Sequence, residues 1–411
     1  MAITKSNQII PELFAEAVES AFASKTAFMG ANAVNLGIVK TEGSFPQAGP
    51  DKIGNTVSVP YFGSLGEFAS RSDGTPSTNS TASMTKEQST IDCGTLSFEL
   101  TTWAGSVPVP GKSPYEEYAR QVLAAGERYA DLKVITAAVS GNNQLVNDAF
   151  SATTPKTLDY DLLCDSLGLW GDFGSLSEVA AIAVHSKTMI DLLKLKDGIG
   201  RPLLVQPTEP GIPPTIWGLP MIVSDRLPID DNGTMSGVTS VGTTPPVITL
   251  TNTANRLGGT GPCRPVNLKV VCTTSGARGT WVLKYSIDGG ATYATAASNI
   301  TSAATVALTD ILDPAQGLLG ITLNIATGNA ATDNVWTAKS VLKHTSLLLK
   351  KNSIAFWYNA KYAGVLQSVP VPQNDSVIYA SHLYSVAHRY VRMPGQPVPG
   401  VISIRHNAGG L

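Results

Sequence analysis

Apolar residues recur at helical spacing in PELFAEAVESAFASKTA, where Leu13, Phe14, Ala17, Val18 and Phe22 fall on one face. The pattern predicts an amphipathic helix from Pro11 to about Ala27, with an apolar side that needs a partner. Alternation takes over at TVSVPYF, where Val57, Val59 and Tyr61 share one face of a predicted strand. From about Gly63 to Met84 the chain is polar and small (GSLGEFASRSDGTPSTNSTASM), too long for an ordinary connection. STIDCGTLSFELTTWA then reads as the returning strand. Two strands around a long polar excursion describe an extended hairpin arm, which cannot bury itself against its own chain.

SPYEEYARQVLAAGERYADLKVITAAVSG carries the clearest helical signal. Ser113 is a natural N-cap, Pro114 suits the first turn, Glu116 and Glu117 favour the positive helix end, and Gly141 closes it. Tyr118, Val122, Ala125, Tyr129, Leu132, Thr136 and Val139 line one face at 4-3-4-3 spacing. At 1.5 Å per residue the helix would run about 40 Å, long enough to act as a spine. A helix is expected near LDYDLLCDSLG, a strand at VAAIAVHS, a helix at SKTMIDLLKLKD and a strand at Leu219 to Val223, together an α/β layer.

The pattern then changes. From about Asn232 to Thr337 helical periodicity disappears, and PPVITLTNT, RPVNLKVVCTT, GTWVLKYSID, TVALTDIL and LGITLNIAT read as short strands between turns. That is the pattern of an immunoglobulin-type β-sandwich inserted into a loop of the surrounding domain, whose pattern resumes at HTSLLLKKNSIAFWYNAK.

Composition sharpens the picture. The chain has 411 residues, only 15% of them charged, and a formal net charge of -2. So little charge on so long a chain points to surface meant for other subunits, and no basic run marks a nucleic-acid-binding arm. MAITKSNQIIPELF lacks a secretory pattern, and no stretch of about 18 apolar residues predicts a membrane span. The four cysteines, Cys93, Cys164, Cys263 and Cys272, form no C-x-x-C pair. A strand between Cys263 and Cys272 would hold them roughly 30 Å apart, so all four are expected to be reduced, buried thiols.

The order of these segments resembles the major capsid proteins of tailed bacteriophages with the HK97 fold. HTSLLLKKNSIAFWYNA resembles that family's "N-L-x-F-H-x-x-A-F" segment, and VAHRYVRMPGQPVPGVISIRHN its C-terminal strand region. The resemblance implies an α+β fold: an N-terminal arm (1–50), an extended E-loop with flanking strands (51–112), a P-domain with its spine helix (113–157), and a two-part A-domain (158–231 and 338–375). The β module (232–337) would interrupt the A-domain, and P-domain strands (376–411) would end the chain. It further implies self-association into the hexamers and pentamers of an icosahedral shell in a virion, assembled in the host cytoplasm. A separate scaffolding protein and a portal would assist, double-stranded DNA would be enclosed without sequence-specific binding, and no membrane or cofactor would take part. Phe68, Arg71, Phe14, Phe22 and Tyr118 are the expected interface residues. An encapsulin-type shell shares the same pattern and is the alternative; a glycan-binding or glycan-active β protein is a further one.

That last alternative rests on YSIDGGATY, which resembles the Asp-box turn of sialidases. One copy without repeated blades supports no propeller. Asp288 can accept hydrogen bonds from backbone amides, and Gly289 and Gly290 can supply positive φ, so the motif accounts for a hairpin and nothing more. No metal spacing, phosphate loop or nucleophile elbow occurs elsewhere: His185, His344, His382, His388 and His406 never fall in a ligand pattern. Asp159, Asp161 and Asp165 read as helix N-terminal charges. The expectation is a protein that works by association and not by catalysis.

Overall fold

The computed structural model describes residues 26–29, 36–46, 55–65, 81–101, 114–140 and 144–408, the last apart from 152–153, 155, 197–199, 203, 206–213, 217, 278–279, 299–304, 314–316 and 394. Its elements begin with β1 (Val39–Glu42), β2 (Thr56–Phe62), β3 (Met84–Thr90), β4 (Asp92–Thr101) and α1 (Pro114–Val139). There follow β5 (Leu145–Asp148), α2 (Tyr160–Gly168), β6 (Val179–Val184), α3 (Ser186–Lys194), β7 (Leu204–Val205), β8 (Thr215–Ile216), β9 (Leu219–Val223) and β10 (Ile229–Met235). A run of strands comes next: β11 (Thr239–Val241), β12 (Ile248–Asn252), β13 (Asn267–Thr274), β14 (Gly276–Ala277), β15 (Val282–Ser286), β16 (Ala294–Ser298), β17 (Thr305–Thr309), β18 (Leu318–Ile325) and β19 (Asn329–Ala330). The chain closes with β20 (Val335–Lys350), β21 (Ile354–Tyr358), β22 (Leu366–Val371), β23 (Ser376–Arg389) and β24 (Val401–Asn407).

Two compact units result. The first draws on Met1–Gln144, Ser177–Ala181 and Leu349–Val401, the second on Leu145–Leu176, Ile182–Leu348 and Ile402–Leu411. This division differs from the sequence-based boundaries. Most of HTSLLLKKNSIAFWYNA is strand, and from Leu349 onward it belongs with the spine helix rather than with 158–231; the last ten residues belong with the second unit.

In the first unit β23 is paired on both sides. It runs antiparallel to β4 from Ser376↔Thr101 to Ser385↔Asp92, to β22 from Leu366↔Ser381 to Val371↔Ser376, and to β21 from Ile354↔Arg389 to Tyr358↔Ser385. β1 adds in parallel to β21. α1 packs on β23 and β4, and its buried side does not coincide with the face of 4-3-4-3 spacing. Val122, Ala130, Asp131, Val134, Ile135 and Ala138 are buried, whereas Tyr118, Leu132 and Thr136 are exposed. The approach is too close for large side chains along the whole contact. Tyr129 lies over Gly94 so tightly that a Cβ there would meet its ring at 2.7 Å.

Burial of Asp131 has a local cause. Its Oδ1 accepts hydrogen bonds from the backbone N–H groups of Ala27, Phe28 and Met29 at 3.1, 2.6 and 3.0 Å. Three donors on one carboxylate oxygen offset part of the cost of burying the group, and they tie the chain before β1 to the spine.

The second unit joins an α/β part to a β module. Asp159 caps α2 by accepting from Leu162 N at 2.8 Å, as its position in the sequence predicts. β6, buried along its length, is parallel to β9, and β24 is parallel to β5. The sixteen-residue β20 belongs to both parts: its first residues pair with β11 and β13, and later ones with β10. In the module, β16-β15-β13-β20-β11 form one side and β12-β18-β17 the other. One core lies between them; its described residues run from Met235 to Ala338 and centre on Trp281, Leu283, Leu319, Leu323 and Trp336. Cys263 and Cys272 are buried in it as free thiols, with Cys272 inside β13 and not beyond a strand. Cys93 and Cys164 are exposed, against expectation: each lies on the solvent side of an element whose opposite side is packed.

The α/β part buries three imidazoles together. The ring centroids of His185 and His344 are 6.2 Å apart, and those of His344 and His406 5.9 Å. His344 Nδ1 lies 2.8 Å from Thr188 Oγ1; His406 donates from Nδ1 to Asn407 O at 3.0 Å and lies 2.9 Å from Ser346 Oγ through Nε2. Burial pushes the His406 pKa down to about 4, and His344 acts in the same direction.

Three outcomes follow from this packing. Asp131→Ala should lower unfolding free energy by about 1–3 kcal/mol in urea melts, because three backbone donors lose their acceptor. Residues 232–338 expressed alone should give a soluble β protein with a single cooperative melt, since the module's core is its own. The neutral His406 favours the folded form, and that advantage is complete above pH 6.5 and lost as pH falls through about 4. The unfolding free energy from urea melts should therefore drop over that window by roughly 2–4 kcal/mol, and by less in His406→Gln.

Candidate assembly surface

The predicted hairpin arm forms, with a different second strand. β2 pairs antiparallel with β3 in continuous register from Thr56↔Thr90 to Phe62↔Met84. The segment read as the returning strand is mostly β4, which pairs with β23 instead. Among the described residues β2 and β3 pair with each other alone, as a two-stranded sheet. Their hold on the rest of the unit is made by side chains at the base. Val57 is buried in a cluster with Phe45, Ala355, Trp357 and Val386, against which Val59 and Ile91 also pack.

Alternation along β2 sends Val57, Val59 and Tyr61 inward and Phe62 outward. At the far end Phe62 is 81% exposed, Leu65 61% and its cross-strand partner Met84 64%. Full burial of one such side chain contributes about 1.5–3 kcal/mol. Three of them at the tip of a narrow ribbon form an apolar surface the subunit cannot cover itself.

Of the expected interface residues, Phe14, Phe22, Phe68 and Arg71 lie outside the described residues, as do Ser113 and Gly141. Tyr118 is described and sits in an aromatic group on α1, β4 and β23. Its ring is 5.5 Å from that of Phe98, which stacks on Tyr379 at 5.1 Å, and Tyr115 meets Tyr379 edge-on at 4.8 Å. The group bonds α1 to the sheet and leaves Tyr118 half open. Sequence reasoning missed Phe62, Leu65 and Met84. The signal was available, because a strand that turns odd residues inward turns Phe62 out.

The junction of arm and sheet is polar on one side. His388 of β23 lies between Ser89 of β3 and Tyr61 of β2, with Glu87 Oε2 3.9 Å from its Nε2. Arg389 follows it on the strand and is itself buried. Among the described residues no group of three or more His, Cys, Asp or Glu is placed to hold a metal.

The Asp-box segment is a turn. Asp288 Oδ1 accepts from the N–H groups of Ala291 and Thr292 at 2.9 and 3.0 Å and from the Ser286 hydroxyl, which itself accepts from Gly290 N at 2.8 Å. These donors hold its carboxyl well below the usual carboxylate range, Ser286 foremost. Gly289 and Gly290 have φ of 81° and 115°. Asp288 Oδ1 and the Ser286 hydroxyl are thus used inside the turn, and the Tyr285 hydroxyl lies 2.7 Å from Thr309 Oγ1.

Comparison with known proteins gives one kind of match. No family model fits the chain, and no curated protein sequence does. Solved structures match over nearly the whole length. The capsid of an empty GTA particle, computed with five-fold symmetry, is 8% identical over 98% of this chain and 97% of that one, with a TM-score of 0.51. The capsid of Ralstonia phage GP4 is 8% identical over 100% and 98%, with a TM-score of 0.47. An encapsulin complex from Synechococcus elongatus is 9% identical over 95% and 94%, also at 0.47. The first of these places the chain in the same fold as a capsid subunit, in agreement with the fold expected from the order of segments.

Gly94→Ala should test how α1 is seated. The added Cβ must displace Tyr129, so melting should shift downward by about 1–3 kcal/mol, whereas Leu96→Ala two residues on, half exposed, should change it by less than about 1 kcal/mol.

Proposed function

We propose that this chain is the major capsid protein of a tailed phage, building by self-association the icosahedral head shell around double-stranded DNA. The observation that carries the reading is the fold shared end to end with the capsid of a GTA particle, over 98% of the chain. The exposed tip of the β2–β3 arm agrees with it, since Phe62, Leu65 and Met84 need cover from another copy. Repetition over a closed shell turns a modest contact per subunit into a stable particle. The net charge of -2 suits a wall that encloses DNA without gripping it.

In this reading residues 51–112 are the E-loop, α1 is the spine of the P-domain, and the module at 232–337 is an immunoglobulin-type insertion facing away from the shell wall. Scaffolding protein and portal would be separate chains. The work of the protein is association, and none of its residues is assigned to catalysis.

Expression of the full chain, followed by negative-stain microscopy and sedimentation, tests this. Closed shells or capsomer rings are expected. A chain that stays monomeric at high concentration, with or without its scaffolding partner, would sink the proposal. Replacing Gly66 to Ala82 with a short Gly-Ser linker should abolish or deform shells. The double change Phe62→Ser and Met84→Ser should do the same, while leaving subunit stability within about 0.5 kcal/mol of the parent, because both side chains are exposed in the free subunit.

A further inference from the structure

The β2–β3 hairpin has no strand-to-strand hydrogen bonds to the sheet beside it, and one imidazole touches both of its strands. His388, 3% exposed, has Nδ1 2.8 Å from Ser89 Oγ on β3 and Nε2 3.2 Å from Tyr61 Oη on β2. Its ring lies nearly parallel to Trp357, centroids 6.1 Å apart, and edge-on to Tyr390 at 5.4 Å. Trp357 in turn belongs to the apolar cluster that receives Val57 of β2. The side chains that seat the hairpin thus converge on this ring.

We propose that His388 is a proton-operated latch: neutral, it seats the β2–β3 hairpin on β23, and protonated, it lets the hairpin lift while the rest of the unit stays folded. The groups facing it set the sign. Its own strand contributes Arg389, and the chain just beyond contributes Tyr390 and Arg392. β3 contributes Glu87, with Lys86 next to it, β2 contributes Tyr61, and α1 places Lys133 on the same groove. Burial pushes the His388 pKa down to about 4, and the charge of Arg389 acts in the same direction. Burial pushes Tyr61 up, so it stays neutral throughout. Burial also raises Glu87, which opposes the latch: its proton uptake favours the seated form.

The cost of protonation is desolvation of the imidazolium and repulsion by Arg389. Towards the neutral ring one of the Ser89 and Tyr61 hydroxyls accepts and the other donates, and towards the imidazolium both can turn to accept, so no hydrogen bond to the ring need be lost. Because the seated pKa lies below the ordinary value near 6.5, the preference for the seated form is complete above pH 6.5. It is lost as pH falls towards 4. The hairpin yields first because β21 and β4 are held to β23 by backbone pairing and the hairpin is not. The latch is a property of the single subunit, so its failure would leave the shell proposal standing, and the reverse holds too.

Amide hydrogen exchange on the full-length, unassembled chain tests it, with labelling times scaled to the intrinsic rate at each pH. From pH 7.5 to 4.5 the opening constant of residues 56–62 and 84–90 should rise about 50- to 100-fold, as a shift of roughly two and a half pKa units requires. Protection of α1 and β21 should hold. In His388→Gln, which keeps a polar group between Tyr61 and Ser89, the hairpin's opening should not respond to acid. The same acid response in that variant would overturn the latch, and so would loss of protection in α1 in step with the hairpin. Deuteration at the imidazole C2 position of the parent protein gives a second reading that needs no variant: the His388 midpoint should lie well below 6.5, and a midpoint at or above it would refute the proposal.

Discussion

The first unit depends on one strand hydrogen-bonded on both sides. β23 fixes the register of β4 along ten residues and of β22 and β21 end to end on its other flank. α1 lies across the ribbon this makes, and it can lie close because Gly94, without a Cβ, leaves room for the ring of Tyr129. The buried Asp131 is a consequence of that closeness: the helix meets the chain before β1 with a carboxylate, and three backbone donors offset part of the cost. Removing β23 from this arrangement would leave four strands and a helix without a common reference.

The β2–β3 hairpin stands apart from that order. It is a complete ladder internally and has no ladder to anything else, so its attachment rests on Val57, Val59 and the polar contacts of His388. The ribbon is held by side chains at one end and carries exposed apolar residues at the other.

The β module shows a different solution. It is stitched to the α/β part through β20, which runs from one to the other without a break, yet the apolar core between its two sheets uses only its own residues. Asp288 and its glycines close one hairpin of that sandwich. A motif that resembles part of an enzyme family is accounted for by the geometry of a turn, because Asp288 and Ser286 spend their oxygens on its backbone amides.

Local pattern determined much of this protein. Period-two alternation placed β2, and Asp159, the acidic residue ahead of the helix in LDYDLLCDSLG, marked the start of α2. These features depend on near neighbours in the chain, and near neighbours are what a sequence displays. Tertiary packing decided the rest. It turned α1 so that Tyr118 and Leu132 face out, because a helix pressed to a sheet chooses its small face over its largest apolar one. It gave the arm β3 in place of β4, because β4 gains a longer ladder on β23. It brought His388 from near the end of the chain to Tyr61 and Ser89, some three hundred residues earlier. No spacing in the sequence encodes that meeting, since it exists only once β23 has found its partners.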